Sequence, residues 1–275
     1  MNVDLHCHST VSDGLLPPAE VVGRAFRNGV DVLALTDHDE ISGLAEARNR
    51  AEELGLRFIA GVEISVSWDD KTVHIVGLNV DPDQDVLREG LARIRTSRDS
   101  RAALIAASLE KAGIPDALEG ALAYAGNPEL ISRAHFARFL ASHGYARDVK
   151  AVFEHYLVWG KPGYVPHQWA SLEEALGWIH AGGGTAVIAH PGRYRFTRGE
   201  MRDFITRFRD LDGEGLEVIS GAHSPEQYRE YGTLAREFGL QASRASDFHG
   251  PKESRVDLGK LPDLPTDLTP VWQRW

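Results

Sequence analysis

The stretch Asn2-Val3-Asp4-Leu5-His6-Cys7-His8-Ser9-Thr10-Val11-Ser12-Asp13-Gly14 sets two imidazoles one residue apart, with a carboxylate five positions further on. Side chains of an extended chain alternate between two faces, so Val3, Leu5 and Cys7 share one parity and His6 and His8 the other. The alternation predicts a strand that packs its apolar residues outward on helices and turns both histidines into an interior. Ser12-Asp13-Gly14 reads as a turn that carries Asp13 back over the end of that strand.

The same rhythm recurs along the 275 residues. Strand-like runs such as "VDVLALTDHD", "GTAVIAHPG", "GLEVISGAH" and "LQASRASDFHG" alternate with helical ones such as "PPAEVVGRAFRNG" and "SPEQYREYGTLAREFG". This is a βαβ pattern of seven strands, broken once where "LRFIAGVEISVSW" and "KTVHIVGLNVD" meet as a hairpin at Asp69-Asp70. About 85 residues without a convincing strand separate the fourth and fifth strands. The reading is an α/β barrel over residues 1–83 and 168–275, with a helical insertion over 84–167 and an irregular tail in the last fifteen residues.

Composition is that of an ordinary soluble globular chain, 43% hydrophobic and 25% charged. No run approaches the ~18 apolar residues of a membrane span, and no signal-like start is present, so a cytoplasmic location is expected. The single cysteine, Cys7, is expected to be a buried thiol. The net charge of −10 is unevenly spread. From 84 to 167 there are eleven Lys and Arg against nine Asp and Glu, a net of +2, whereas the remainder carries −12. A basic segment inside an acidic protein is a candidate anion contact.

Each strand end was read for chemistry. The first carries His6, His8 and Asp13, the second Asp37 and His38, the third Glu63, the fourth His74, the fifth His190 and the seventh Asp247 and His249. The sixth supplies no chosen ligand. Strand ends of an αβ barrel converge on one face. Six imidazoles (His6, His8, His38, His74, His190, His249) and three carboxylates (Asp13, Glu63, Asp247) would meet there. Such a set suits Zn, Mn or Fe, and it exceeds the four or so donors that one ion needs. Two or three divalent ions are expected, leaving a cationic pocket for an anionic substrate. His135, His143, His155, His167, His180 and His223 fall outside the pattern.

The motifs "DLHCHS", "SDG", "TDHD", "GVE", "VHIVG", "AHP" and "SDFH" resemble those of the polymerase and histidinol phosphatase (PHP) superfamily. The resemblance implies a distorted (β/α)7 barrel, a di- or trinuclear site with manganese as its expected metal, and hydrolysis of phosphate esters. It makes His6, His8, Asp13, His38, Glu63, His74, His190, Asp247 and His249 the ligands, with Glu63 bridging and water activated by the ions as the nucleophile. "NPELISRAHFARFLASHGYA" and "YLVWGKPGYVP" are similar to segments of the bacterial nucleoside 3′,5′-bisphosphate phosphatase and ribonuclease AM group. That likeness implies Arg133, His135 and Lys161 as phosphate contacts, joined by Arg193, and a nucleotide or short RNA with a 5′-phosphate as substrate, with no obligate protein partner. Trp159 and Trp169 are weighed between base stacking and core packing. A small-ester phosphatase such as one for histidinol phosphate, and an accessory binding module like the PHP domains of DNA polymerases, are the alternatives.

Overall fold

Apolar runs too short for helices pair side by side, and they pair in the order in which the chain makes them. The computed structural model describes residues 1–275, the side chains of Asp99 and Arg274 excepted, and these form one seven-stranded sheet with neighbours in sequence order. The first part runs β1 (Val3–Asp4), α1 (Pro18–Arg27), β2 (Val32–Leu35), α2 (Leu44–Leu54), β3 (Arg57–Trp68) and β4 (Lys71–Leu78). After a helical stretch come α7 (Leu172–Ala181), β5 (Thr185–Ile188), α8 (Arg198–Asp210), β6 (Gly215–Ser220), α9 (Pro225–Phe238) and β7 (Gln241–Ala245). The ring closes where Leu5 N donates to Arg244 O (3.0 Å), Asp247 N to His6 O (2.9 Å) and His8 N to Phe248 O (2.8 Å).

All neighbouring strands are parallel except β4, which is antiparallel to both β3 and β5. The hairpin expected at Asp69-Asp70 produces this reversal, with Trp68 opposite Lys71. The barrel is therefore the distorted (β/α)7 form. Its mouth faces the C-terminal ends of six strands but the N-terminal half of β4, so His74 sits near the start of its strand rather than at the end.

Two apolar faces hold the ring. On the inner face Val3, Leu5, Val32, Ala34, Ile59, Val76, Leu78, Val187 and Ala189 form one cluster. On the outer face Leu33, Leu35, Ala60, Ile75 and Ile188 pack with helix residues such as Val22, Ala47, Ile179 and Phe204. The expectation that Val3, Leu5 and Cys7 all pack outward is corrected: only Cys7 does. Alternation holds only within regular strand, and β1 ends at Asp4, whose carboxylate accepts from Ser246 N and Gly259 N (both 2.8 Å). Beyond it the chain shifts face, so Leu5 and His6 both look inward.

The C-terminal residues are likewise not an irregular tail. Ala242 N donates to Thr269 O (2.8 Å), and a 3-10 turn over Val271–Arg274 inserts Val271 into the inner cluster with Trp272 and Trp275 beside it. This turn plugs the barrel floor.

Between β4 and α7 lie α3 (Asp85–Lys111), α4 (Ala117–Leu122), α5 (Arg133–Ser142) and α6 (Val149–Val152), then a π-helical turn over Phe153–Leu157. They share a second apolar cluster that includes Ile105, Leu109, Phe136, Phe139, Leu140 and Leu157. Gln84, the boundary read from sequence, caps α3 by accepting from Leu87 N (3.2 Å). The core changes over later: Leu87, Leu91 and Ile94 belong to the barrel cluster, and Ala102 onward to the second. Among the described residues no helix is long and apolar enough to cross a membrane.

Because Val271 is fully buried against the inner cluster, Val271→Ala is expected to cost about 1.5 to 3 kcal/mol, the loss of two buried methyls plus an unfilled cavity. Urea unfolding with an unchanged midpoint would show that the plug is not part of the core.

Candidate metal centre

His6 and His8 follow β1 into the mouth, and Asp13 arrives on a tight turn in which Ser12 N and Gly14 N both donate to Ser9 O (3.1 and 2.7 Å). A Cβ at Gly14 would lie 2.5 Å from His8 O, so only glycine lets the turn fold back onto the histidine strand. Asp37 is not a ligand. Its carboxylate accepts from Ser9 N (2.7 Å), Ser9 Oγ (2.7 Å) and Ser12 Oγ (2.5 Å), which fixes the turn that carries Asp13. His190 and Asp247 adopt left-handed backbone (φ 25° and 55°), a strain of roughly 1–3 kcal/mol each that surrounding bonds must hold.

The nine sequence-read ligands converge. His6 Nε2 and His8 Nε2 face each other at 3.0 Å, with Glu63 Oε2 at 3.3 and 3.4 Å and Asp247 Oδ1 at 3.6 and 3.3 Å from them. The same Glu63 carboxylate meets His38 Nδ1 (2.8 Å), His74 Nδ1 (2.9 Å) and His190 Nε2 (2.8 Å). Asp13 Oδ1 lies 3.4 Å from His249 Nε2 and 3.9 Å from His38 Nε2. Four overlapping donor groups result: His8, Asp13, His38 and His249; His6, His190 and Asp247; His6, His8 and Glu63; His38, Glu63 and His74. Within each, ligand atoms lie within 4.8 Å of one another.

This arrangement fits divalent ions. Asp13 Oδ1, Glu63 Oε2 and Asp247 Oδ1 are buried and accept no hydrogen bond, and a buried acceptor without a partner is costly unless a cation satisfies it. Burial works against an ionised Glu63, but His38, His6 and His74 outweigh it and hold the carboxyl well below its usual range. Burial pushes His74 and His249 down to about 4, which leaves them neutral and able to ligate.

One participant was missed. Glu217, on β6, is buried, and its Oε1 accepts from His6 Nδ1 (2.6 Å) while Oε2 accepts from His190 N (2.6 Å). A proton held on Nδ1 leaves the Nε2 lone pair of His6 for the centre, and the second bond holds the strained His190. The sequence signal was a lone charge inside the buried run "GLEVIS", on the strand that had been given no ligand.

Over the centre opens a cavity of about 1080 Å³. Of the expected phosphate contacts, Arg133 and Arg193 line it, Arg193 with Nη1 2.8 Å from Asp247 Oδ2. His135 is buried, takes Ser132 N on its Nδ1 (3.0 Å) at the start of α5, and is pushed by burial to about 4. It caps a helix as a neutral ring. Lys161 is exposed and does not line the cavity. The structure brings in Arg98 and Arg101 instead, stacked 4.8 and 5.1 Å from the Trp169 ring. Arg98 pairs with Asp39, but Arg101 and Arg133 have no carboxylate partner among the described residues. Burial, with Arg133 and Arg98 beside it, pushes Arg101 down to about 9. Trp169 is a buried cavity wall, whereas Trp159 is 71% exposed.

Three outcomes follow from this geometry. Purified protein is expected to hold more than one equivalent of transition metal by elemental analysis. Glu63→Gln should lower that content, since an amide lacks the charge that five imidazoles surround; full retention would refute the bridge. Glu217→Gln should weaken metal affinity by ~10- to 100-fold in a chelator competition, as for a lost partner of a ligating histidine. Unchanged affinity would reduce Glu217 to a packing residue.

Comparison with known proteins identifies the family. The PHP domain family matches residues 4–211, and the last two ligands, Asp247 and His249, lie beyond that span. The chain is 50% identical over 272 residues to the 3′,5′-nucleoside bisphosphate phosphatase of Chromobacterium violaceum, covering 99% of this chain and 95% of that protein. It is 44% identical over 276 residues to the 5′-3′ exoribonuclease Rnm of Escherichia coli, covering 99% and 93%. Among solved structures, an amidohydrolase from C. violaceum with bound sulfate and no metal superposes with a TM-score of 0.97 at 50% identity, covering 100% and 95% of the two chains. A protein from Bifidobacterium adolescentis described as a metal-dependent phosphoesterase follows at 0.82 and 28% identity, covering 99% and 93%. With its ring of strand-end ligands and a family match over most of its length, the chain belongs to the PHP domain family.

Proposed function

We propose that this chain is a metal-dependent phosphoesterase that removes the 3′-phosphate of nucleoside 3′,5′-bisphosphates, or a 5′ mononucleotide from short RNA. One observation carries the reading: a cavity over the nine-ligand centre also holds Arg101 and Arg133, cations without carboxylate partners. The cavity thus offers two separate places for negative charge, as a substrate with two phosphates requires. Both named relatives act, by their names, on substrates of that kind.

Divalent ions held by the nine side chains would neutralise phosphoryl oxygens and acidify water; oxygen and imidazole donors without thiolate admit manganese, zinc or iron, and manganese is the occupant the family resemblance favours. The chain's own residues supply the rest. Arg101 and Arg133 grip the 5′-phosphate with planar forks, and the Trp169 and Phe153 rings behind them fix those forks in place. Arg193, tethered by Asp247, reaches from the metal side toward the scissile group. Residues 84–167 act as a cap that supplies the selective cations, while the barrel supplies the ligands. A small-ester phosphatase has no use for the arginine pair, and a non-catalytic module has no use for a complete ligand set.

Manganese-loaded protein is expected to turn over adenosine 3′,5′-bisphosphate and a 5′-phosphorylated oligoribonucleotide well and histidinol phosphate poorly; the reverse ranking would overturn the reading. Arg101→Ala or Arg133→Ala should lower kcat/KM by ~10- to 1,000-fold, about 1.4 to 4 kcal/mol, with metal content unchanged. A substrate without the 5′-phosphate should be poor already and lose little more, because the missing partner cannot be lost twice. Lys161→Ala, outside the cavity, should stay near the parent.

A further inference from the structure

The cavity does not end at the metal centre. Its far side is lined by Gly221, Ala222, Ser246, Lys252, Ser254 and Arg255, from the loops that follow β6 and β7. The arginine pair stands on the other side, since Arg101 stacks on Trp169, and Trp169 is bonded to Ser67 Oγ (2.8 Å) and Thr72 Oγ1 (3.2 Å) of the β3–β4 hairpin. In a closed ring of seven, β7 lies three strands from β4 one way and three from β3 the other. The ligands therefore sit between two cationic walls.

The acids of the loop after β7 are paired: Glu253, which also lines the cavity, and Asp257, which does not, each have an arginine partner. Glu253 is held by Arg138 of α5 at 2.8 and 2.7 Å, and Asp257 by Arg24 of α1 at 2.8 and 2.7 Å. Lys252 and Arg255, which flank Glu253, have no carboxylate partner among the described residues; Arg255 Nη1 reaches only His223 O at 3.5 Å. The loops after β6 and β7 pack closely, for a Cβ at Gly221 would lie 2.1 Å from Ser246 O. At about 1080 Å³ the cavity lies at the top of the ~300–1,000 Å³ range of small-molecule sites.

We propose that Lys252 and Arg255 bind the phosphodiester that follows the scissile one in a single-stranded oligoribonucleotide. A nucleoside bisphosphate reaches one cationic wall and the metals; a chain reaches both walls. The inference rests on the phosphoesterase reading above and adds to it a selectivity for chains.

The test compares the parent, Lys252→Ala, Arg255→Ala and the double variant of the metal-loaded enzyme on adenosine 3′,5′-bisphosphate and on a 5′-phosphorylated pentaribonucleotide. The ratio of kcat/KM, chain over bisphosphate, should fall tenfold or more in the double variant. The salt dependence of kcat/KM on the chain should become shallower, by about 0.7 in logarithmic slope for each phosphate contact removed. An unchanged ratio, whether both activities fall or neither does, overturns the inference. A parent that hydrolyses neither substrate would instead overturn the phosphoesterase reading, so the two failures are distinguishable.

Discussion

A fully buried carboxylate surrounded by five imidazoles is the constraint on which the barrel is built. Glu63 lies within reach of His6, His8, His38, His74 and His190, which come from four other strands or their extensions. Neither protonation state of so many rings satisfies so many converging lone pairs, whereas cations do. Gathering these rings around a single side chain requires the ring of strands to close, and the β3–β4 hairpin sets His74 opposite Ser65 of β3 at the mouth. The apolar cluster below, plugged by Val271, keeps the ring rigid enough to hold His190 and Asp247 in left-handed backbone.

The convergence of the nine side chains was legible because histidine and carboxylate at successive strand ends are rare unless a site needs them, and one face collects them. The alternation of strands and helices likewise gave the barrel and its single hairpin. What was not legible depends on long-range pairing. The inward turn of Leu5 follows from the early end of β1, and the role of Val271 from a gap in the floor that only the folded ring creates. Glu217 is not legible as part of the site because its partners, His6 and His190, are 211 and 27 residues away. The cationic segment was recognised as such, yet composition could not tell Arg101, which faces the cavity, from Lys161, which faces solvent. His135, a phosphate contact by resemblance, instead has its ring used by the backbone at a helix start.

The helical insertion is joined to the ligands as well as to the cavity. Ser132 Oγ donates to Asp13 Oδ2 (3.0 Å), and Arg138 donates to Asp13 O (2.6 Å) while gripping Glu253. Arg98 of α3 pairs with Asp39, which accepts in turn from Ser65 N (2.7 Å) beside Glu63. The helices that line the cavity and the loops that carry the donor cluster therefore share hydrogen bonds, so a displacement of α5 or α3 reaches the loops that carry Asp13 and His38.

That sharing also distributes charge. The chain carries a net −10, a poor match at long range for a polyanionic substrate. Attraction must come from the local field, which depends on cations left unpaired. Four arginines are spent on structure or tethering, of which Arg98 and Arg193 line the cavity: Arg24 on Asp257, Arg98 on Asp39, Arg138 on Glu253 and Arg193 on Asp247. Each such pairing either removes an acid from the cavity's surroundings or orders a loop at its rim, and Arg101, Arg133, Lys252 and Arg255 remain uncompensated as a result. The acidic exterior then opposes non-specific adhesion to nucleic acid, and positive potential is confined to a cavity whose low-dielectric walls strengthen it. Which cations stay free at the cavity depends on which acids the other arginines neutralise.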